Sequence, residues 1–212
     1  MKILIFVLAL FVIINSGFAQ VDEKSGRQFY KNGDWEFGYS LSIGSGNKHK
    51  TGTNSFYFSY DSSQYYYSYD QTVKDAYVPL GVSIGYYIIN GLSIEPELSL
   101  LLSSDGVSVS MLGNICYTFY ISKKSIYPYI KLGYGLSENP NTSESLEFNT
   151  INASVGIKLT YRSGMAFRIE INYRNSSGSS SYYYSNQSSS SSFTSETILN
   201  LISISFGASI LF

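Results

Sequence analysis

The chain has one cysteine, one histidine and four prolines. Beyond the first 20 residues it has no apolar run long enough to cross a bilayer as a helix. Each scarcity narrows the possibilities. With Cys116 alone, an exported chain forms no internal disulfide, so it must be stable without the covalent staples common in extracytoplasmic proteins of this size. With His49 alone, a histidine-rich metal site is disfavoured. Charged residues make up 14% of the 212 residues and the formal net charge is −1, so there is no basic field to draw nucleic acid. No cofactor motif is present.

The N-terminus supplies the one strong apolar run, MKILIFVLALFVIINSGFAQ. Lys2 forms a positive start, Ile3 to Ile14 an apolar core of roughly a dozen residues, and Gly17-Phe18-Ala19 a small-residue cleavage site. Residues 1–19 therefore read as a secretory signal peptide and 20–33 as a polar periplasmic lead-in. The folded domain is expected over 34–212.

From Asp34 onward the chain alternates. DWEFGYSLSIGS puts Trp35, Phe37, Tyr39, Leu41 and Ile43 on one side and Glu36, Gly38, Ser40 and Ser42 on the other, the period of a strand. The same period recurs in VPLGVSIGYYI, LSIEPELSL, VSVSMLGNICYTFY, YPYIKLGYGL, TINASVGIKLT, MAFRIEINYR and LISISFGASILF. Asn90-Gly91 is a tight hairpin turn. Eight strands result, with no helix after the signal peptide. Connections after the even strands are short, whereas those near 45–76 and 175–196 are very long. An even strand count with short turns on one rim and long loops on the other is expected of an outer-membrane barrel. Pro96, which lacks a ladder donor, predicts a local bulge.

A soluble sandwich would also alternate, and the polar face separates the two. A water-facing sheet is rich in Lys, Glu, Thr and Arg, but this face is rich in Gly, Ser, Ala and Asn, which suit a crowded eight-stranded interior. With strand 1 running up from the periplasm, Trp35, Phe37, Tyr86, Tyr117, Phe119 and Phe212 fall near the lower interface. Tyr134 and Tyr173 fall near the upper one, giving an aromatic girdle at both levels.

Parity then sends Glu36, Glu95, Glu97, Lys131, Lys158, Arg168, Glu170 and Arg174 inward. Four acids face four bases, and buried charge is tolerable when paired and hydrogen-bonded. The expectation is a lumenal salt-bridge network that leaves no wide pore. The alternative is wet, unpaired charge near the rims, above all at Glu36 and Arg174.

The signal peptide, LSIEPELSL after Asn90-Gly91, YPYIKLGYGL, MAFRIEINYR and terminal Phe212 together resemble the small outer-membrane β-barrels, the group of the OmpA membrane domain and OmpX-like proteins. The resemblance implies an eight-stranded antiparallel up-and-down transmembrane barrel in a Gram-negative outer membrane, surrounded by outer-membrane lipid. It also implies that Phe212 is read by the barrel-assembly machinery. These barrels share architecture more than activity.

In the first long loop, SFYFSYDSSQYYYSYD reads as a hairpin extending strands 1 and 2 above the membrane. The last loop carries SYYYSNQSSSSSF. Tyr and Ser together favour binding surfaces, so an extracellular ligand or surface partner is one reading, and a packing cap or low-complexity tract the other. His49 has no evident orienting carboxylate in the sequence, although Asp61 or Asp70 can approach it in three dimensions, and Cys116 reads as a packed lumenal residue. The chain is therefore read as non-enzymatic, acting structurally and through its outer loops. A small-solute channel and a lipid-modifying enzyme are the alternatives.

Overall fold

The computed structural model describes residues 30–58, 63–104, 106–119, 125–138, 147–161, 164–185 and 189–212. Residues 1–29, on which the expected signal peptide and most of the expected lead-in fall, lie outside the described residues. The strands are β1 (Trp35–Phe58), β2 (Ser63–Ile89), β3 (Leu92–Ser103), β4 (Gly106–Thr118), β5 (Ile126–Glu138), β6 (Glu147–Tyr161), β7 (Met165–Ser185) and β8 (Ser189–Leu211). Every strand pairs antiparallel with its chain neighbour, and β1 pairs with β8 to close the barrel.

The period-two pattern dictates which side chains point out. Along β4, Met111 is 67% exposed and Ile115 60%, whereas Leu112 is 1% exposed and Cys116 is fully buried. Most large apolar residues of the strands lie on the outside, and the inside is lined chiefly by Ser, Thr, Asn and charged groups, with a few buried Leu and Tyr among them. Such a surface is stable against hydrocarbon and unstable against water. The shortest strands have 12 and 13 residues. A tilted strand needs only about 9–11 to cross a bilayer.

At the lower rim Gly91 has a φ of 82°. A Cβ there would also stand 2.5 Å from the Thr118 carbonyl oxygen. The Asn90-Gly91 turn thus needs glycine for both conformation and space.

Two expectations need correction. Pro96 makes no bulge: it pairs with Gly113 on β4, and on the other side the register runs from Ser83↔Glu97 to Tyr86↔Ile94 without a change of offset. The proline interrupts pairing locally but leaves the register intact. The shift occurs between Tyr87 and Ile89, beside the Asn90-Gly91 turn.

The second correction concerns the last long loop, which is mostly strand; in the first, the hairpin read from the sequence is present and extends β1 and β2. β1 and β2 remain paired to Phe58↔Ser63, β7 and β8 to Ser185↔Ser190, and β1 and β8 to Phe58↔Ser189. The four strands continue beyond the barrel as one sheet in the order β2-β1-β8-β7. The Ser-rich residues 185–196 carry no sustained apolar alternation, so strand could not be read there, whereas alternating Phe56 and Phe58 marked the hairpin of β1 and β2. Backbone pairing on both sides of β1 and β8 holds the extension.

Candidate functional site

The lumen brings all eight inward charges into one chain of contacts. At the end of the short turns Lys158 (β6) is fully buried and its Nζ lies 2.7 Å from Glu36 Oε2 (β1). Lys158 also donates to the Tyr87 hydroxyl at 2.8 Å, and Tyr87 in turn donates to Glu36 Oε2 at 2.7 Å. Ser209 donates to the other Glu36 oxygen at 2.6 Å.

Arg168 (β7) stands at the centre. It is 3.3 Å from Glu95, 3.9 Å from Glu170 and 4.0 Å from Glu36. Above it Lys131 (β5) reaches Glu170 at 3.1 Å and Glu97 at 3.4 Å. Tyr129 donates to Glu170 at 2.6 Å. Arg174 closes the outer end, 3.5 Å from Glu97 and 3.3 Å from the Ser99 hydroxyl. Glu36 is 1% exposed and Arg174 7%, so neither is a wet rim charge. An isolated buried charge costs several kcal/mol, and only this mutual pairing with neutral donors offsets it.

Hydroxyl and amide groups continue the filling. Ser110, Ser137, Thr150 and Ser176 form a ladder with contacts of 2.7, 2.7 and 2.9 Å. Asn172 receives the Ser154 hydroxyl and donates to Ser205.

Apolar clusters cap the network at both ends. At the outer end Tyr77, Leu101 and Leu201 pack together with Leu199 against them. At the opposite end, by the short turns, Tyr30, Tyr87, Tyr127, Ala166 and Leu211 do the same. Tyr30 belongs to the lead-in, and its inward turn was not read from the sequence. Its ring lies 5.5 Å from that of Tyr87 and 5.0 Å from that of Tyr127, with Lys158 Nζ 4.9 Å from its centroid. Two further rings, Tyr87 and Tyr129, lie 5.6 and 5.2 Å from the same ammonium. The backbone fixes this cork. Gly91 N–H donates to the Tyr30 carbonyl at 2.9 Å and Gly33 N–H to the Tyr87 carbonyl at 2.8 Å, with Tyr30 held at a φ of 62°. A lone tyrosine in a polar lead-in, just ahead of Gly33-Asp34, was the available signal.

The aromatic residues assigned to the two interfaces all point outward. Trp35 and Tyr86 rings are 4.8 Å apart, and those of Tyr117 and Phe119 4.9 Å, near the lower rim with exposed Phe37 and Phe212. Higher up, the Tyr134 hydroxyl donates to Asn149 at 2.8 Å and that of Tyr173 to Asn200 at 2.9 Å.

On the projecting sheet, Tyr69 and Phe193 stack at 6.4 Å across Gly52. A Cβ on Gly52 would meet the Tyr69 ring at 2.5 Å, so glycine lets that ring lie flat over β1. Tyr65, Tyr67 and Phe56 share this face, and all are more than 40% exposed. His49 is on the opposite face, with Nδ1 2.9 Å from the Thr72 hydroxyl and 3.6 Å from Asp70. Asp61 lies outside the described residues. Among the described residues no three His, Cys, Asp or Glu side chains are disposed to hold a metal ion. At the outer turn of β3–β4, Asp75 accepts from the Ser104 hydroxyl at 2.5 Å and the Ser104 N–H at 3.2 Å, which together with the Ala76 N–H hold its carboxyl below the usual value.

No family model matches the chain, and no curated protein matches it. Solved structures do. The outer membrane protein OprG from Pseudomonas aeruginosa is similar over 85% of this chain and 97% of its own, at a TM-score of 0.51 and 12% identity. Neisserial surface protein A covers 80% of this chain and 96% of its own, at a TM-score of 0.46 and 10% identity. A de novo designed transmembrane β-barrel covers 80% and 95%, at 0.41 and 12% identity. At such identities the likeness concerns the fold alone. With its outward apolar band and enclosed polar interior, the chain has the fold of the small outer-membrane β-barrels.

Proposed function

We propose that this protein resides in the bacterial outer membrane, delivered by its signal peptide and assembled through Phe212. In this reading it acts through the sheet that projects from the membrane, neither conducting solutes nor catalysing a reaction. The observation that carries the reading is the division of the molecule. The lumen is filled by mutually paired charges and capped at both ends, whereas the outer sheet holds its polar backbone in order and displays its rings to solvent.

Rigid aromatic side chains interleaved with Ser, Thr and Asn provide contact area at little entropic cost. The sheet also has two edges. β3 leaves β2 after Val78↔Leu102, and β6 leaves β7 after Asn149↔Ser177, so beyond these points no strand pairs with the outer edges of β2 and β7 among the described residues. Such edges can pair with a strand of a partner.

The test has two arms. In planar bilayers the intact barrel shows no discrete conductance steps; steps of fixed size establish the channel alternative. In a binding screen against host and bacterial surface components, the intact barrel retains a partner that barrels lacking residues 50–72 or 178–194 lose. Equal retention by intact and shortened barrels rejects the role of the sheet.

A further inference from the structure

Beside the outer apolar cluster the lumen holds a small vestibule that opens to the exterior. Its lining is asymmetric in charge. Lys48 and Arg174 contribute two cations, and no carboxylate lines it. Tyr77, Leu101, Leu199 and Phe148 supply apolar wall, and the remaining lining groups are hydroxyls.

Arg174 is the informative residue. It is 7% exposed and lies at the junction between the vestibule and the charge network. A guanidinium has five N–H donors. Its contacts here are one oxygen of Glu97 at 3.5 Å and the Ser99 hydroxyl at 3.3 Å. Glu97 is itself shared with Lys131 and Asn114, both at 3.4 Å. The outermost cation of the network therefore has few contacts within it, and it borders a cavity whose described lining has cations without acids.

We propose that this vestibule binds a small anion with a short apolar tail, a carboxylate. The head would meet the donors of Arg174 in the planar geometry that guanidinium and carboxylate share. The tail would lie along Tyr77, Leu101 and Leu199. Lys48, on the part of β1 that leads down from the projecting sheet, stands at the entrance, where the Asp75 carboxylate also acts on it. Tyr77 and Leu101 of its wall belong to the outer apolar cluster, and Arg174 separates it from the charged cavity beneath. The inference is independent of what the projecting sheet touches.

The experiment uses the mature barrel in phosphatidylcholine nanodiscs with leucine methyls labelled for NMR. Hexanoate, hexanol and hexylammonium are titrated as probes of one tail length. Leu101 and Leu199 face the lumen, so their methyl shifts are insensitive to probe that merely dissolves in the lipid. Saturable shifts at both are expected with hexanoate, about tenfold weaker with hexanol and absent with hexylammonium. Arg174→Gln weakens hexanoate about tenfold. Ser110→Leu fills the cavity from the opposite wall without touching an ion pair, and abolishes the shifts; this variant decides the matter if Arg174→Gln does not fold. Equal responses to the three probes, an unsaturable response, or hexanoate binding unchanged in a folded variant overturns the proposal.

Discussion

Replacing Lys158 with methionine separates the pairing of buried charge from the mere filling of the lumen. The side chain is fully buried, 2.7 Å from Glu36 and 3.9 Å from Glu95. At an effective dielectric constant of about 20, attractions at these separations are about 6 and about 4 kcal/mol. Most of that gain is offset by taking three charges out of water, so the wild-type cluster contributes little net stability. Removing one member does not restore the water. Glu36 would keep Arg168 at 4.0 Å and the neutral donors Tyr87 and Ser209.

Lys158→Met is therefore expected to lower unfolding free energy by about 3–5 kcal/mol, the usual penalty for stranding a buried charge. Glu36→Gln combined with Lys158→Met removes both charges at nearly constant volume and should recover the loss to within about 1–2 kcal/mol of wild type. Urea unfolding in lipid vesicles, followed by the fluorescence of Trp35 at the lower rim, reads all three proteins. A single variant within about 1 kcal/mol of wild type refutes the reasoning. So does a double variant no better than the single, since the loss would then come from packing.

Three further expectations concern the ends of the barrel. Tyr30→Ala, which removes the cork while leaving the charge network in place, should lower stability by about 2–4 kcal/mol in the same assay without producing conductance steps. Gly52→Ala should drive the Tyr69 ring from Phe193; amide exchange in 50–72 should accelerate while the urea midpoint stays fixed, because the affected ladder lies outside the bilayer. Asp75 has a depressed folded value, so its contribution is present above its unfolded value of about 4 and is lost as pH falls through the folded one. Protection of the Ser104 amide should fall over that acid range in wild type and be pH-independent in Asp75→Asn.

Much of the barrel was legible because alternation is local. Each strand's core could be marked from residues two apart, and the small residues opposite identified the enclosed face. Where that signal failed, a physical reason is visible. In the first long loop the alternating aromatics still marked a hairpin, but the Ser-rich extensions of β7 and β8 at 178–185 and 189–196 lack sustained apolar alternation and read only as polar sequence. Pro96 carries a strong general expectation of irregularity, but its pairing with Gly113 on β4 keeps the register. Tyr30 sits in a stretch with no period at all, and its burial depends on Gly33, Tyr87 and Gly91 holding the backbone in place.

Which side chains go inward follows from parity along each strand and needs no knowledge of the neighbours. Which of them meet is a different matter. Glu36 and Lys158 are 122 residues apart on β1 and β6, strands that never pair, and they touch only because closure brings opposite walls within reach. Parity is a property of consecutive residues, whereas the partners of a buried charge depend on stagger, tilt and diameter, which exist only once the last strand has joined the first.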